Sequence, residues 1–151
     1  MYGHGIEDLL RDRDHIDRIL REKYERRVAV LFSDICNSTK YFEKHGDLAG
    51  RGMVQRHNDL LFPIVQTFGG RIVKTVGDAI MAFFLTGRDA VDAASQMQLA
   101  LSEFNTGRAP EDRIHIRIGI NYGQALVDTS DIYGDTVNVA SRVESACKEV
   151  G

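Results

Sequence analysis

The sequence lacks any long hydrophobic run. No stretch reaches the roughly 18 apolar residues that span a bilayer, and no N-terminal segment has the apolar centre of a signal peptide. These absences argue against a membrane-spanning helix and against secretion. We therefore expect a soluble, cytoplasmic domain. A longer parent protein with an upstream sensor or membrane domain is compatible with this expectation.

Cysteine and concentrated basic charge are also scarce. Among 151 residues there are two cysteines, Cys36 and Cys147, which are too far apart in sequence to be a close-spaced metal pair. We expect both to be reduced thiols. The formal net charge is −3, and no block rich in Lys and Arg is present. A protein that binds along a nucleic acid duplex is therefore not expected, whereas a single nucleotide needs only a few cations and a metal.

The chain begins with a leader and an amphipathic helix, which together occupy residues 1–26. From Ile6 to Arg26, apolar side chains fall roughly on one face, and acidic and arginine side chains alternate on the other. The apolar seam is too narrow to cover a large core. A helix that pairs with its twin or links to an upstream sensor fits this pattern, and a helix that lies on its own domain fits it about as well.

Residues 27–151 predict an α+β domain with a ferredoxin-like βαββαβ core, followed by an extra strand and helix. The predicted strands are residues 28–32, 71–75, 79–85, 114–120 and 124–128, and the predicted helices are residues 47–67, 88–105 and 134–148. This order indicates a mostly antiparallel sheet with helices packed on one face. Pro63 predicts a kink or a restart in the first of these helices.

The chemistry is centred on Asp34, which follows the first strand. The five apolar residues 28–32 are typical of a strand that is buried on both faces. Alone, Asp34 fits a helix N-cap as well as a metal ligand. Asp78 lies in the turn of the predicted hairpin, and a ferredoxin-like sheet can bring both carboxylates to one end. Two like charges so close are stabilised by a shared proton or by a hard cation, Mg²⁺ or Mn²⁺.

Three segments carry a resemblance to a known family. Residues 32–36 read Phe-Ser-Asp-Ile-Cys, residues 73–78 read Val-Lys-Thr-Val-Gly-Asp, and residues 131–142 read Asp-Ile-Tyr-Gly-Asp-Thr-Val-Asn-Val-Ala-Ser-Arg. Together they resemble the catalytic domain of class III adenylate and guanylate cyclases. The resemblance implies a nucleotide cyclase that converts ATP to 3′,5′-cyclic AMP and pyrophosphate, with two Mg²⁺ or Mn²⁺ ions in each site.

The resemblance also implies roles for single residues. Asp34 and Asp78 match the metal-binding aspartates, and the Ile35 carbonyl matches a further metal ligand. Lys74 and Asp131 match the lysine and the acidic residue that read adenine. Adenine presents a ring-nitrogen acceptor and an amino donor, which a lysine and an aspartate complement, whereas guanylate cyclases of the family usually have Glu and Cys here. The pair therefore favours ATP over GTP.

Two further residues match the family's ribose and phosphate contacts. Asn138 matches the asparagine that orients the ribose, and Arg142 matches the arginine that stabilises charge on the α-phosphate. They are four residues apart, so one turn of helix can present both on the same face. In the family the metal aspartates come from one subunit and the other four side chains from its partner. This chain carries both sets, which implies a head-to-tail homodimer with two shared sites.

Two departures from the family pattern bear on activity. Gln124 stands where the heterodimeric branch often has a phosphate-contacting arginine. The hairpin that usually follows the last helix, and that supplies a triphosphate-binding lysine, is not in this sequence. We therefore expect a C-terminally truncated domain that binds ATP weakly and turns over slowly. Two alternatives stay open, namely a degenerate cyclase-fold domain that only dimerises or regulates, and a guanylate cyclase.

Overall fold

The computed structural model describes residues 5–147. The helices are α1 (Ile6–Tyr24), α2 (Ser38–His45), α3 (Asp47–Thr67), α4 (Gly87–Asn105) and α5 (Asp135–Ala146), with a short 3-10 helix at Pro110–Asp112. The strands are β1 (Glu25–Ile35), β2 (Arg71–Val76), β3 (Ala79–Phe84), β4 (Ile116–Val127) and β5 (Ile132–Tyr133). The predicted final-helix residue 148 lies outside the described residues.

The five strands form one antiparallel sheet in the order β2-β3-β1-β4-β5. The central strand, β1, pairs with β3 from Ala29 to Ser33 and with β4 along its whole length. The order β2-β3-β1-β4 is that of a ferredoxin-like core, so the predicted α+β fold is confirmed. β1 begins at Glu25, two residues before the predicted domain boundary.

Alternate residues of β1 supply two apolar clusters on opposite faces of the sheet. Ala29, Leu31 and Ile35 belong to the larger cluster, which α3 and α4 cover. Val28 and Val30 belong to the smaller cluster, to which α5 and β5 contribute. Because both faces are covered, consecutive residues of β1 are apolar. The expectation that all helices pack on one face was therefore wrong for α5, which lies on the opposite face from α3 and α4.

Other local predictions were also wrong. The helix α2 was not predicted. Residues Ile116–Val127 form one strand rather than two strands joined by a turn, because β4 stays paired with β1 past Gly123. The hairpin partner of β4 is β5. The helix α3 continues through Pro63, so the predicted restart is excluded, and the alternative of a kink at Pro63 stays a prediction.

The inward face of α4 also differs from its prediction. The apolar spacing of the sequence predicts that Val91 faces the core, but Val91 is 53% exposed. The buried stripe of α4 instead begins with Ala90 and Ala93 and continues through Met97 and Leu101. These four residues follow the spacing of three to four residues that one helix face requires. Two small residues, Ala90 and Ala93, therefore form the core-facing surface of the first two turns of α4.

The helix α1 buries none of its residues. Its apolar side chains Ile6, Leu9 and Ile16 are 77%, 56% and 55% exposed. A helix that lay along its own domain would bury this face, so that alternative is excluded. Pairing with a twin helix, or a link to an upstream sensor, stays a prediction. Within residues 5–147, no helix is both long and apolar enough to cross a membrane.

Gly119 lies where α5 crosses β4. A Cβ atom at this position would be 2.3 Å from the Glu144 nitrogen and 2.8 Å from the Ala140 carbonyl oxygen. Because both are backbone atoms, α5 would have to shift. We predict that Gly119→Ala lowers the free energy of unfolding by roughly 1–3 kcal/mol, the usual cost of overpacking. Urea unfolding followed by circular dichroism measures this loss.

The matched control is Gly52→Ala in α3. The nearest atom to a Cβ there is the Arg56 Nη1 atom, at 3.4 Å. This long side chain can move, and alanine favours a helix interior by about 1 kcal/mol over glycine. We therefore expect Gly52→Ala to be neutral or stabilising. Equal unfolding free energies for the two variants would contradict the close packing of α5 on β4.

Candidate active site

Asp34 and Asp78 meet at one end of the sheet. Asp34 is the penultimate residue of β1, and Asp78 lies in the turn between β2 and β3. Their carboxyl groups interact, since Asp78 contributes to the raised pKa of Asp34. The N-cap reading of Asp34 is excluded, because the residue lies within a strand and α2 has Asn37 at its N-cap.

Burial and repulsion raise the pKa of Asp34 to about 6. Burial is the largest cause, followed by the hydrogen bond and the charge of Asp78 and by the charge of Glu144, while Arg117 acts in the opposite direction. The Oδ2 atom of Asp78 is buried and has no hydrogen-bond partner among residues 5–147. Two repelling carboxylates with an unsatisfied oxygen fit a hard divalent cation.

The protein side chains alone do not complete a metal shell. Across residues 5–147, no group of three or more His, Cys, Asp or Glu side chains could hold a metal ion. A cation at Asp34 and Asp78 therefore needs oxygens from the main chain, water or a substrate. The Ile35 carbonyl, at the end of β1, stays a predicted ligand.

Arg117 and Glu144 flank Asp34, and neither was predicted. Arg117 of β4 lies directly opposite Asp34 in the strand pairing. Its Nη2 atom is 3.7 Å from Asp34 Oδ2, and its Nε atom is 3.7 Å from Glu144 Oε1. Glu144 of α5 is buried, and burial raises its pKa although Arg117 lowers it. In the sequence both are ordinary polar positions. The strand register places Arg117 opposite Asp34, and the packing of α5 on β4 brings Glu144 to Arg117.

Lys74 and Asp131, which the resemblance places together in an adenine pocket, form an ion pair. The Lys74 Nζ atom is 2.9 Å from Asp131 Oδ2, and the Ile132 N–H donates to the other carboxylate oxygen at 2.8 Å. The bond from Lys74, more than that from Ile132, lowers the pKa of Asp131. Lys74 lies on the edge strand β2, far from β5 in strand order, so the sheet must curl to bring the two together. Arg71 of β2 also bridges this distance, because its side chain donates a hydrogen bond to the carbonyl of Thr129, shortly before β5.

Asn138 and Arg142 are exposed on α5, whose opposite side packs on the sheet through Val137 and Ala140. Among the described residues, the Asn138 side chain makes no hydrogen bond. Within residues 5–147, Arg142 makes only a loose ionic contact, from Nη2 to Asp135 Oδ1 at 3.9 Å. Two polar side chains one turn apart are therefore available to a ligand or to a second molecule.

A cavity of about 820 Å³ opens beside Asp78. Ser38 and Thr39, at the start of α2, line it together with Arg51 of α3. Asn37 at the N-cap has a left-handed φ of 58° and makes no capping side-chain bond. The first N–H groups of α2 and the Arg51 guanidinium can therefore attract an anion. This part of the site was missed because α2 itself was not predicted.

Residues 20–150 match the family model described as the adenylate and guanylate cyclase catalytic domain. The chain belongs to this family. It is therefore a nucleotide-cyclase catalytic domain, as the three sequence segments predicted.

The relatives support this assignment over most of the chain. The adenylate cyclase of Anabaena cylindrica is 35% identical over 142 residues, which cover 83% of this chain and 28% of that protein. The crystal structure of an adenylate/guanylate cyclase/hydrolase from Silicibacter pomeroyi superimposes with a TM-score of 0.70 at 34% identity, covering 83% of this chain and 72% of that chain. A dimeric guanylyl cyclase domain of the RhoGC fusion protein from Blastocladiella emersonii gives a TM-score of 0.70 at 28% identity, covering 81% and 75%. The cyclase domain thus spans less than a third of the Anabaena protein's length.

We predict that Asp34→Asn stabilises the metal-free cyclase domain. Above the Asp34 pKa of about 6, the ionised carboxylate repels Asp78 and Glu144, and an amide removes this repulsion. The Asp34 side chain is 31% exposed. Solvent screening therefore reduces the expected gain near pH 7.5 to roughly 1 kcal/mol.

The sign of the pH dependence follows from the raised pKa. Asp34 favours folding only while it is protonated, so its contribution is complete below the unfolded value of 3.8 and is lost as the pH rises through about 6. The advantage of Asp34→Asn should accordingly shrink as the pH falls. Urea unfolding in EDTA measures it, with Asp17→Asn on exposed α1 as the control. A less stable Asp34→Asn variant near pH 7.5 would contradict the repulsion.

Proposed function

We propose that the domain converts ATP to 3′,5′-cyclic AMP and pyrophosphate at sites shared between two copies of the chain. The observation that carries the choice of ATP is the Lys74–Asp131 ion pair, with 2.9 Å between Nζ and Oδ2. The lysine keeps further N–H donors and the aspartate keeps further lone pairs. The two side chains can therefore bind the ring nitrogen and the amino group of adenine.

Asp34 and Asp78, with the Ile35 carbonyl, would hold the two Mg²⁺ or Mn²⁺ ions. When bound, these ions would acidify the ribose 3′-hydroxyl and neutralise phosphate charge. The buried, unpartnered Oδ2 of Asp78 supports this assignment. The start of α2 and Arg51 border the same cavity, and we assign the phosphate chain of ATP to them.

In the proposed reaction the ribose 3′-hydroxyl gives its proton to water or to a phosphate oxygen of the substrate. The 3′-oxygen bonds to the α-phosphorus, and the bond from that phosphorus to pyrophosphate breaks. Asn138 orients the ribose, and Arg142 stabilises the charge that develops on the α-phosphate. Both are exposed on α5 and lack a firm partner within the described part of the chain. This supports a head-to-tail homodimer in which a second copy supplies Asp34 and Asp78.

The first test removes the carboxylates. Asp34→Ala and Asp78→Ala should each lower cyclic AMP formation by at least roughly a hundredfold while the domain stays folded, since metal catalysis supplies several kcal/mol. The measurement is chromatography of cyclic nucleotides formed from ATP or GTP with Mn²⁺, on this chain and on a version extended past Gly151. Asp112→Ala, in the short 3-10 helix, is the control.

The outcomes of this test separate the alternatives. Near-normal activity of either variant would refute the metal assignment. A folded wild-type chain that forms no cyclic nucleotide, even when extended, would favour a degenerate, non-catalytic domain. Cyclic GMP as the main product would identify a guanylate cyclase.

The second test exchanges the base-reading pair. Lys74→Glu combined with Asp131→Cys should raise the ratio of kcat/KM for GTP over ATP by at least about tenfold, because the new pair complements guanine. Lys44 and Glu111 form another exposed ion pair, at 3.0 Å and outside the site. The same exchange there, Lys44→Glu with Glu111→Cys, should leave the ratio unchanged. An unaltered preference in the Lys74 variant would count against the pocket.

A further inference from the structure

Each chain holds two halves of a site, and one charged pair lies between them. The first half is Asp34 with Asp78, and the second is Asn138 with Arg142 on α5. We propose that Arg117 and Glu144 are positioning residues that couple the metal-binding half to α5. This inference rests on the proposed function, because it takes Asp34 as a metal ligand.

Arg117 lies between two carboxylates. Its Nη2 atom is 3.7 Å from Asp34 Oδ2, and its Nε atom is 3.7 Å from Glu144 Oε1. Both Nε and Oε1 are buried, and neither has a hydrogen-bond partner in the part of the chain that the structure describes. A direct N–H···O bond is about 2.9 Å long. A short movement of the guanidinium toward Glu144 would therefore satisfy two unpaired buried atoms.

Glu144 is well placed to transmit such a movement. It is 7% exposed, and its backbone packs so tightly on β4 that Gly119 has no room for a Cβ. Arg142 precedes it by two residues on the same helix, and Asn138 by six. A change in how Glu144 is held therefore bears on the pose of the side chains that would contact ribose and phosphate.

The charge of the metal half sets the direction of the movement. A divalent cation at Asp34 would repel the Arg117 guanidinium, and Glu144 is then the carboxylate left to pair with it. In a head-to-tail dimer each chain contributes Asp34 to one site and the α5 helix to the other site. Metal binding at one site would thus adjust the ribose and phosphate contacts of the other.

The test measures Mn²⁺ binding to the intact chain without nucleotide, by calorimetry or electron paramagnetic resonance. In Glu144→Gln, Arg117 is left with Asp34 alone and competes with the cation, so we expect roughly fivefold weaker binding. In Arg117→Met the competing charge is gone, so we expect roughly fivefold tighter binding. A purely structural role would not shift the affinity in opposite directions.

Two further variants complete the set. Arg117→Met combined with Glu144→Gln removes one charge of each sign and should bind Mn²⁺ with near wild-type affinity, and it replaces Arg117→Met if that variant does not fold. Glu103→Gln, on the exposed side of α4, controls for the loss of one negative charge. Wild-type affinity in both single variants would overturn the positioning role.

Amide hydrogen exchange tests the coupling itself. Mn²⁺ should change the exchange rates of α5 in the wild-type chain and leave them unchanged in the double variant. The same change in both proteins would refute the link.

Asp34→Asn separates this inference from the proposed function. If that variant binds Mn²⁺ normally, the metal assignment is wrong, and the coupling is then wrong as well. If Asp34→Asn loses binding while the Arg117 and Glu144 variants match the wild type, only the coupling is wrong.

Discussion

The antiparallel pairing of β1 with β4 is the constraint on which the active-site geometry depends. It runs along all of β1, from Glu25 to Ile35, and places Arg117 directly opposite Asp34. It also sets where Gly119 lies, and this glycine lets the backbone of α5 rest against β4. One strand register therefore fixes the positions of Asp34, of the neighbouring Arg117 and of the helix that carries Arg142. A slip of one residue would turn every side chain of β4 to the other face.

The candidate site holds acidic side chains whose mutual repulsion destabilises the folded protein. The pKa of Asp34 is raised because burial and the nearby Asp78 both disfavour its ionised form. A divalent cation would relieve this repulsion. The close pair of carboxylates that destabilises the metal-free protein is therefore the arrangement that favours cation binding. The same trade between stability and activity recurs in enzymes whose active sites hold like charges together. Arg142 is likewise left without a close protein partner. In the proposed mechanism its partner is a phosphate of the substrate rather than a protein side chain.

The sequence predicted the parts of the fold that depend on local pattern. The apolar run before Asp34, the turn at Asp78 and the amphipathic period of α3 each reflect neighbouring residues. The pairing of Lys74 with Asp131 followed from a family motif. The long strand β4 was not predicted because Gly123 reads locally as a turn, whereas pairing with β1 keeps it extended. The roles of Arg117 and Glu144 depend on tertiary contacts, which no local pattern encodes.

In the proposed dimer, each site takes Asp34 and Asp78 from one chain and Asn138 and Arg142 from another. Mixing two variants that are each inactive alone, Asp34→Ala and Arg142→Ala, tests this sharing. A mixed dimer would contain one intact site and one doubly damaged site. With random pairing, cyclic AMP formation should then recover to about a quarter of the wild-type rate, since half of the dimers are mixed and each has one working site. No recovery in a sample where mixed dimers are shown to form would contradict the shared site.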